Sequence, residues 1–314
     1  MTSSAVSLKR CQDYSPQKIR QVLESHFSLL GGIEKFVSRS DTVLIKPNLI
    51  VPKPREFAVQ TDPTVILELA KILKDYGAKP FVADSPAWGD TLECVRILGL
   101  ADSLKKIGVE VKQLNKPQRC EIDGATVSIS SIALEADRII NLPKLKSHQQ
   151  LGATIAVKNM FGTVSGKAKA MWHFRKGAHE NDFCDLLIGI YKLFAPTITI
   201  IDAVIAMEGA GPISGTAKKL GWTIAATDPI AAEVVTCRLI DFDPDSLPII
   251  RRAKQTGFGC SDIKQIEILG DDHTDHICRD FQTAPQIPLK FTLPRVIRSI
   301  SKQLLIYIKQ LIAR

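Results

Sequence analysis

Five times along this chain a strand-like run ends in a polar turn, usually with a proline: Lys46-Pro47-Asn48, Asp84-Ser85-Pro86, Asn141-Leu142-Pro143-Lys144, Asp202 to Glu208, and Thr227-Asp228-Pro229. Between them lie helix-like segments, among them Pro63 to Tyr76, Asp90 to Ile107, Gly152 to Met160, Asp182 to Phe194 and Pro229 to Ile240. Strands that alternate with helices build a mostly parallel sheet with helices on both faces. The expected fold class is therefore α/β, in one or two interleaved lobes. In such sheets ligands bind outside the C-terminal ends of the strands. A turn of Asp-Pro or Asn-Pro type is ordinary by itself. Five of them at predicted strand ends point to one shared rim.

Local signals fix several elements. Thr42 to Lys46 reads as a buried strand, and Lys79 to Ala83 as another. Pro63 suits the first turn of a helix capped by Asp62 or Thr61, with Gly77 as its stop. Thr126 to Ser130 is expected to pair at an edge, and Thr197 to Val204 is a β-branched strand. The body is expected to run over residues 1–280, with a separate tail from 281 to 314.

The charge distribution singles out Asn141 to His179. Lys144, Lys146, Lys158, Lys167, Lys169, Arg175 and Lys176 fall there, with His148, His173 and His179 and not one Asp or Glu. Cations so unbalanced repel one another unless an anion or solvent screens them. Lys144, Lys146 and His148 share parity, so an extended chain turns them to one side. Such a row can clamp an anion and move a proton; a solvated basic loop is the plain alternative. Lys46 stands within an apolar strand, where it either neutralises a bound carboxylate or phosphate or snorkels from an edge. The candidate catalytic residues are His148, His173 and Lys146. Candidate ligand-binding residues are Lys46, Asn48, Lys144, Lys158, Asn159, Gly209 and Gly211. Asp84, Asp202, Glu208 and Asp228 are candidates to orient a histidine or hold a divalent metal. The partner expected from this chemistry is a small anionic metabolite, and the sequence does not name it.

Other signals exclude function classes. Gly162 to Ala168 is one residue short of a Walker loop and lacks its Ser/Thr. Gly209 to Gly215 is one residue too long for a dinucleotide fingerprint and contains Pro212, so a glycine-rich anion nest or a long hairpin fits better. His273 and His276 stand in a polar linker and read as a solvated turn. The cysteines, Cys11, Cys94, Cys120, Cys184, Cys237, Cys260 and Cys278, are scattered without a CxxC pair, against a zinc ribbon or an iron–sulfur cluster. The formal charge is +8, but six Lys/Arg and no acid lie after residue 280, which leaves 35 basic against 33 acidic residues in the body. Nucleic acid is therefore not an expected partner. No signal peptide or membrane-length apolar run is evident, so a cytoplasmic location is expected.

The tail follows its own pattern. Leu293, Val296, Ile297, Ile300, Leu304, Tyr307, Ile308, Leu311 and Ile312 keep helical spacing, with Arg295, Arg298, Lys302 and Lys309 between them. This reads as a basic amphipathic helix for an anionic membrane surface or a partner protein. The alternative is a terminal helix packed on its own domain.

Taken in order, the segments Ile45-Lys-Pro-Asn-Leu49, Thr61-Asp-Pro63, Asp84-Ser-Pro86, Asn141 to His148, Val157-Lys-Asn-Met-Phe-Gly162, Trp172-His173, Asp202-Ala203, Met207-Glu-Gly209 and Ala226-Thr-Asp-Pro229 resemble the Domain of unknown function 362 family. The resemblance implies an α/β fold and no assigned reaction. Many family members carry an added ferredoxin-type cysteine segment, whereas this tail has only Cys278. A redox role related to those members is thus an alternative without its usual ligands. So is a non-catalytic membrane-associated binding or assembly protein. A more distant similarity of layout, lysines and histidines around a carboxylate, is to nickel-dependent lactate racemase and its relatives.

Overall fold

A computed structural model describes residues 4–165 and 168–289. Its strands, in chain order, are β1 Ser4–Arg10, β2 Thr42–Pro47, β3 Lys79–Asp84, β4 Glu110–Gln113, β5 Pro117–Ile122, β6 Ala125–Ser130, β7 Arg138–Leu142, β8 Lys144–His148, β9 Gly152–Thr154, β10 Ile198–Glu208, β11 Thr216–Ala226 and β12 Ile266–Gly270. Ten of them form one sheet in the order β12-β1-β11-β10-β7-β2-β3-β4, with β8 attached to β10 and β9 to β8. Most neighbours are parallel; β11 runs against β1 and β10, and β9 against β8. This is the mostly parallel α/β fold read from the strand–helix alternation.

The central strands are apolar on both faces because both are covered. In β2, Val43 and Ile45 enter one core with Val82, Ile140 and Ile198. Leu44 between them enters the other core with Phe81, Ile139 and Ile201. Helices Pro16–Leu29, Pro63–Tyr76 and Thr91–Ile97 cover the first face. Helices Glu180–Phe194, Pro229–Leu239 and Pro248–Thr256 cover the second. Each buried aliphatic side chain of β2 contributes about 1.5–3 kcal/mol. Helix Pro63–Tyr76 has the expected ends: Asp62 accepts from the Thr64 amide, and Gly77 closes it at φ 102°.

Four expectations change. The helix read from Asp90 to Ile107 is two helices, Thr91–Ile97 and Ala101–Lys106, because Gly99 turns the chain at φ 66°. Residues 152–160 do not form one helix. Gly152–Thr154 pairs antiparallel with β8, and only Ala156–Asn159 is helical, so sheet pairing overrides local propensity here. The strand around Thr126 is not an edge of the main sheet. It forms a separate hairpin with β5 through Asp123-Gly124, both at positive φ as a tight hairpin turn requires. Finally, β1 is a strand that the sequence pattern did not announce. The tail helix read from residues 293–312 lies outside the described residues.

Candidate functional site

The polarity of the strands decides which turns meet. β2, β3, β7, β8 and β10 run in one direction, so Lys46, Asp84, Lys144 and Asp202 come to one rim. β11 runs the other way, with Ala226 opposite Thr199 at the start of β10. Asp228 is therefore at the opposite rim, and the expectation that it shares the cluster is corrected. It caps helix Pro229–Leu239, and its oxygens are taken by the amides of Ile230, Ala231 and Cys260 and by the Ser4 hydroxyl.

The other residues build outward from two buried ion pairs. Lys46 Nζ lies 2.8 Å from Asp84 Oδ1 and donates to the Pro47 carbonyl at 2.6 Å. Asp84 in turn accepts from the amides of Leu49 and Ser85. Lys144 Nζ lies 2.9 Å from Asp202 Oδ2 and donates to the Tyr14 hydroxyl at 2.8 Å. That hydroxyl donates to Asp202 Oδ1 at 2.7 Å, and the Asp62 amide donates to Asp202 Oδ2 at 2.9 Å. Lys144 and its neighbours therefore come from β8, β10 and the segments that precede helices Pro16–Leu29 and Pro63–Tyr76.

Among the described residues Lys146 has no carboxylate partner. Its Nζ donates to Asn48 Oδ1 at 2.6 Å and to the Val59 carbonyl at 2.8 Å, and it is 0% exposed. Three asparagines then run in series. Asn48 donates to Asn159, and Asn159 donates to Asn141 and to the Lys46 carbonyl. Asn141 donates to the Ala156 carbonyl and Thr199. This network ties the two lysine strands β2 and β8 to the helical turn Ala156–Asn159. Gly162 closes the cluster from above. A Cβ there would stand 2.3 Å from Asp84 Oδ1 and 2.7 Å from Lys46 Nζ, so any side chain would have to displace the ion pair.

Burial and mutual repulsion weaken the protonation of Lys146, Lys158 and Lys169. Burial pushes Lys146 well below the ordinary lysine range, with Lys158 and Lys144 adding to the effect. Burial, then Lys46, pushes Lys158 down to about 8. Lys169, on helix Ala168–Arg175, is pushed down to about 7 by burial, with Asp84 opposing and Lys46 and Lys158 assisting. Its Nζ donates to the Ser85 carbonyl. Lys158 sits over the Phe161 ring, 4.7 Å from its centroid. His148 is held neutral by burial and by Lys158, His173 and Lys146 nearby. The Gln150 amide donates to its Nδ1, so the ring proton is on Nε2. His173 packs between Phe161 and Phe183.

Exposure divides the lysines by role. Lys46, Lys144 and Lys146 are at most 1% exposed and engage protein acceptors. Lys158 and Lys169 are only partly buried. Among the described residues Lys158 has neither an ion pair nor a hydrogen-bond acceptor. Gly209 and Gly211 serve the backbone: the Gly209 carbonyl accepts from Ser147 Oγ, and a Cβ on Gly211 would strike the Ser147 carbonyl. Glu208 accepts from the Gln282 amide. Among the described residues no three His, Cys, Asp or Glu side chains converge to hold a metal. The candidate metal ligands Asp84, Asp202, Glu208 and Asp228 instead accept from protein donors. Sequence reasoning missed Tyr14, which gives no local signal. It counted Lys169 only as one more cation, and it read Asp62 only as a helix cap.

An α/β sheet whose C-terminal rim gathers lysines, asparagines and aspartates from the turns after β2, β3 and β7 is the architecture these segments define. The chain belongs to the Domain of unknown function (DUF362) family, whose sequence pattern matches residues 43–238. It is 33% identical over 303 residues to the thylakoid-associated protein sll1697 of Synechocystis sp., covering 95% of this chain and 94% of that protein. Among solved structures it is similar to the lactate racemase apoprotein of Thermoanaerobacterium thermosaccharolyticum, with a TM-score of 0.49 and 13% identity. That alignment takes in 75% of this chain and 56% of the racemase chain.

Proposed function

We propose that the protein is an enzyme that binds a small carboxylate or phosphate at the C-terminal rim of its sheet. The observation that carries this reading is the surplus of lysines over carboxylates in one cluster at this rim. Asp84 and Asp202 neutralise Lys46 and Lys144. Lys146, Lys158 and Lys169 are left without a carboxylate partner among the described residues. A dianion beside Lys158 and Lys169 restores neutrality and raises their affinity for protons. The inner lysines, held by Asp84, Asp202, Asn48 and the Val59 carbonyl, then form the wall behind that site. His148, neutral and with its proton on Nε2, can donate a hydrogen bond from that nitrogen to the bound molecule.

Oxalate and sulfate test the two ligand chemistries with charges that stay constant near neutral pH. Either should raise the melting temperature saturably at low millimolar concentration, and the effect should vanish in a Lys158→Met, Lys169→Met double variant. Saturable stabilisation by neither anion, or equal stabilisation of the double variant, would overturn the reading. Affinity should also fall as pH rises through 7 to 8, where Lys169 and Lys158 lose their protons.

A second reading adds a location. The name of the Synechocystis relative describes thylakoid association, and residues 293–312 combine an apolar series with Arg and Lys and no acid. Among the described residues no helix is long and apolar enough to cross a membrane. Attachment of the tail to an anionic lipid surface fits these observations.

A further inference from the structure

Glu233 is a lone carboxylate in the apolar helix Pro229–Leu239, and it is 2% exposed. Its Oε1 accepts from the Val157 amide at 2.8 Å, and the Ala156 amide also faces it. These amides open the helical turn Ala156–Asn159, which carries Lys158 and Asn159. The turn holds only four residues, too few to be stable alone. It is fixed at its start by Glu233 and at its end by the hydrogen bonds of Asn159 to Asn141 and the Lys46 carbonyl. Among the described residues Glu233 has no ion pair.

We propose that Glu233 is a positioning residue, which presents Lys158 and Asn159 to the bound anion by gripping the Val157 amide with its ionised carboxylate. This rests on the reading that Lys158 meets an anion. Loss of the carboxylate charge weakens the grip, since a charged acceptor binds an amide more strongly than a neutral one. Burial pushes Glu233 up to about 7, against the pull of the two amides and with a further push from Asp228. The other titratable groups that sense it are Tyr191 on helix Glu180–Phe194 and Cys237 one turn along its own helix. Burial raises both of these further, so neither ionises near neutral pH. The change near pH 7 thus belongs to Glu233 on this side of the turn, and to Lys158 and Lys169 on the ligand side.

Sulfate affinity measured by calorimetry across pH 5.5 to 8.5 tests this on the full chain. In the wild type it should pass through a maximum near neutrality and fall roughly ten-fold toward pH 5.5, where a carboxyl titrating near 7 is almost wholly protonated. Glu233→Gln keeps a neutral oxygen on the amide, so its weaker grip is the same at every pH. Its affinity should instead rise to a plateau as pH falls and the lysines charge. An unchanged acid-side fall in the variant would sink the proposal. The Val157 amide resonance supplies a second readout in the wild type, should Glu233→Gln not fold. It should shift with a midpoint near pH 7, and a resonance that does not titrate removes the positioning role alone. Absence of any sulfate binding in the wild type removes the anion reading and this inference with it.

Discussion

At the residue scale, each buried lysine is defined by its acceptor. Removing one partner of a buried pair typically costs about 3–5 kcal/mol, because it strands the other charge. Lys46→Met should destabilise the fold by that order, and adding Asp84→Asn should recover part of the loss in urea unfolding. Lys146 differs because, among the described residues, its Nζ donates only to Asn48 and the Val59 carbonyl. Lys146→Met should therefore cost less, about 1–3 kcal/mol for the acceptors it leaves unpaired, and a loss as large as that of Lys46→Met would contradict the assignment. Two other buried groups govern the acid side. His26, between Ser7 and Thr223, is held neutral by burial and then by Lys9, with its pKa pushed down to about 3. As pH falls below 6.5 the unfolded chain takes up a proton that folded His26 refuses, and stability drops. Glu233 acts in the opposite sense. Folded, it holds a proton up to about 7 where an ordinary Glu has released it near 4.5, so its contribution falls as pH rises through that window. Between 4.5 and 6.5 the two oppose each other. Glu233→Gln should therefore make stability fall more steeply with acid there, by at most about 1.4 kcal/mol per pH unit. Identical slopes for variant and wild type in urea titrations would refute this.

At the scale of elements, the site depends on close approaches that allow no side chain. Gly162 is pressed onto the Lys46–Asp84 pair, and Gly211 onto the backbone of Ser147 in β8. A forced methyl group costs about 1–3 kcal/mol in such surroundings. Gly162→Ala should lose oxalate binding as well as stability, whereas Gly99→Ala, with open space around its Cβ position, should leave binding intact and cost only backbone strain. Equal anion affinity in Gly162→Ala and the wild type would show that the ion pair does not shape the site. Much of this rim was legible in the chain. Lys46 inside Val43-Leu44-Ile45, the shared parity of Lys144 and Lys146, and the polar turns after three parallel strands each carried local information. What was not legible was strand direction. No residue in Thr216–Ala226 announces an antiparallel course, yet that course sends Asp228 to the far rim. The segment after Gly152 misled for a related reason: its pairing with β8 is a long-range fact absent from local spacing. Glu233 did leave a trace, a single acid in the run PIAAEVVTCRL, whose value emerges only when Val157 is seen above it.

At the scale of the whole molecule, the sheet separates two jobs. One rim concentrates buried ionic groups, and the other is closed by ordinary helix caps such as Asp228. The described end of the chain returns to the ionic rim. Gly209 donates to the Gln282 carbonyl, Ile287 donates to the Gln149 carbonyl, and Gln150 donates to the carbonyls of Pro288 and Leu289. Liposome flotation checks the location proposed for the tail. The full chain should float with acidic vesicles at low salt, and a chain ending at residue 289 should stay at the bottom. Equal recovery of both forms would remove the lipid reading.

That returning strap has a practical corollary. Gln150 anchors it with the side chain and, with the backbone, holds the imidazole of His148 in one tautomer. The last described residues are therefore anchored two positions from the candidate site residue His148. Affinity tags, surface tethers and fusion partners joined at the C-terminus should disturb ligand measurements more than the same additions ahead of β1.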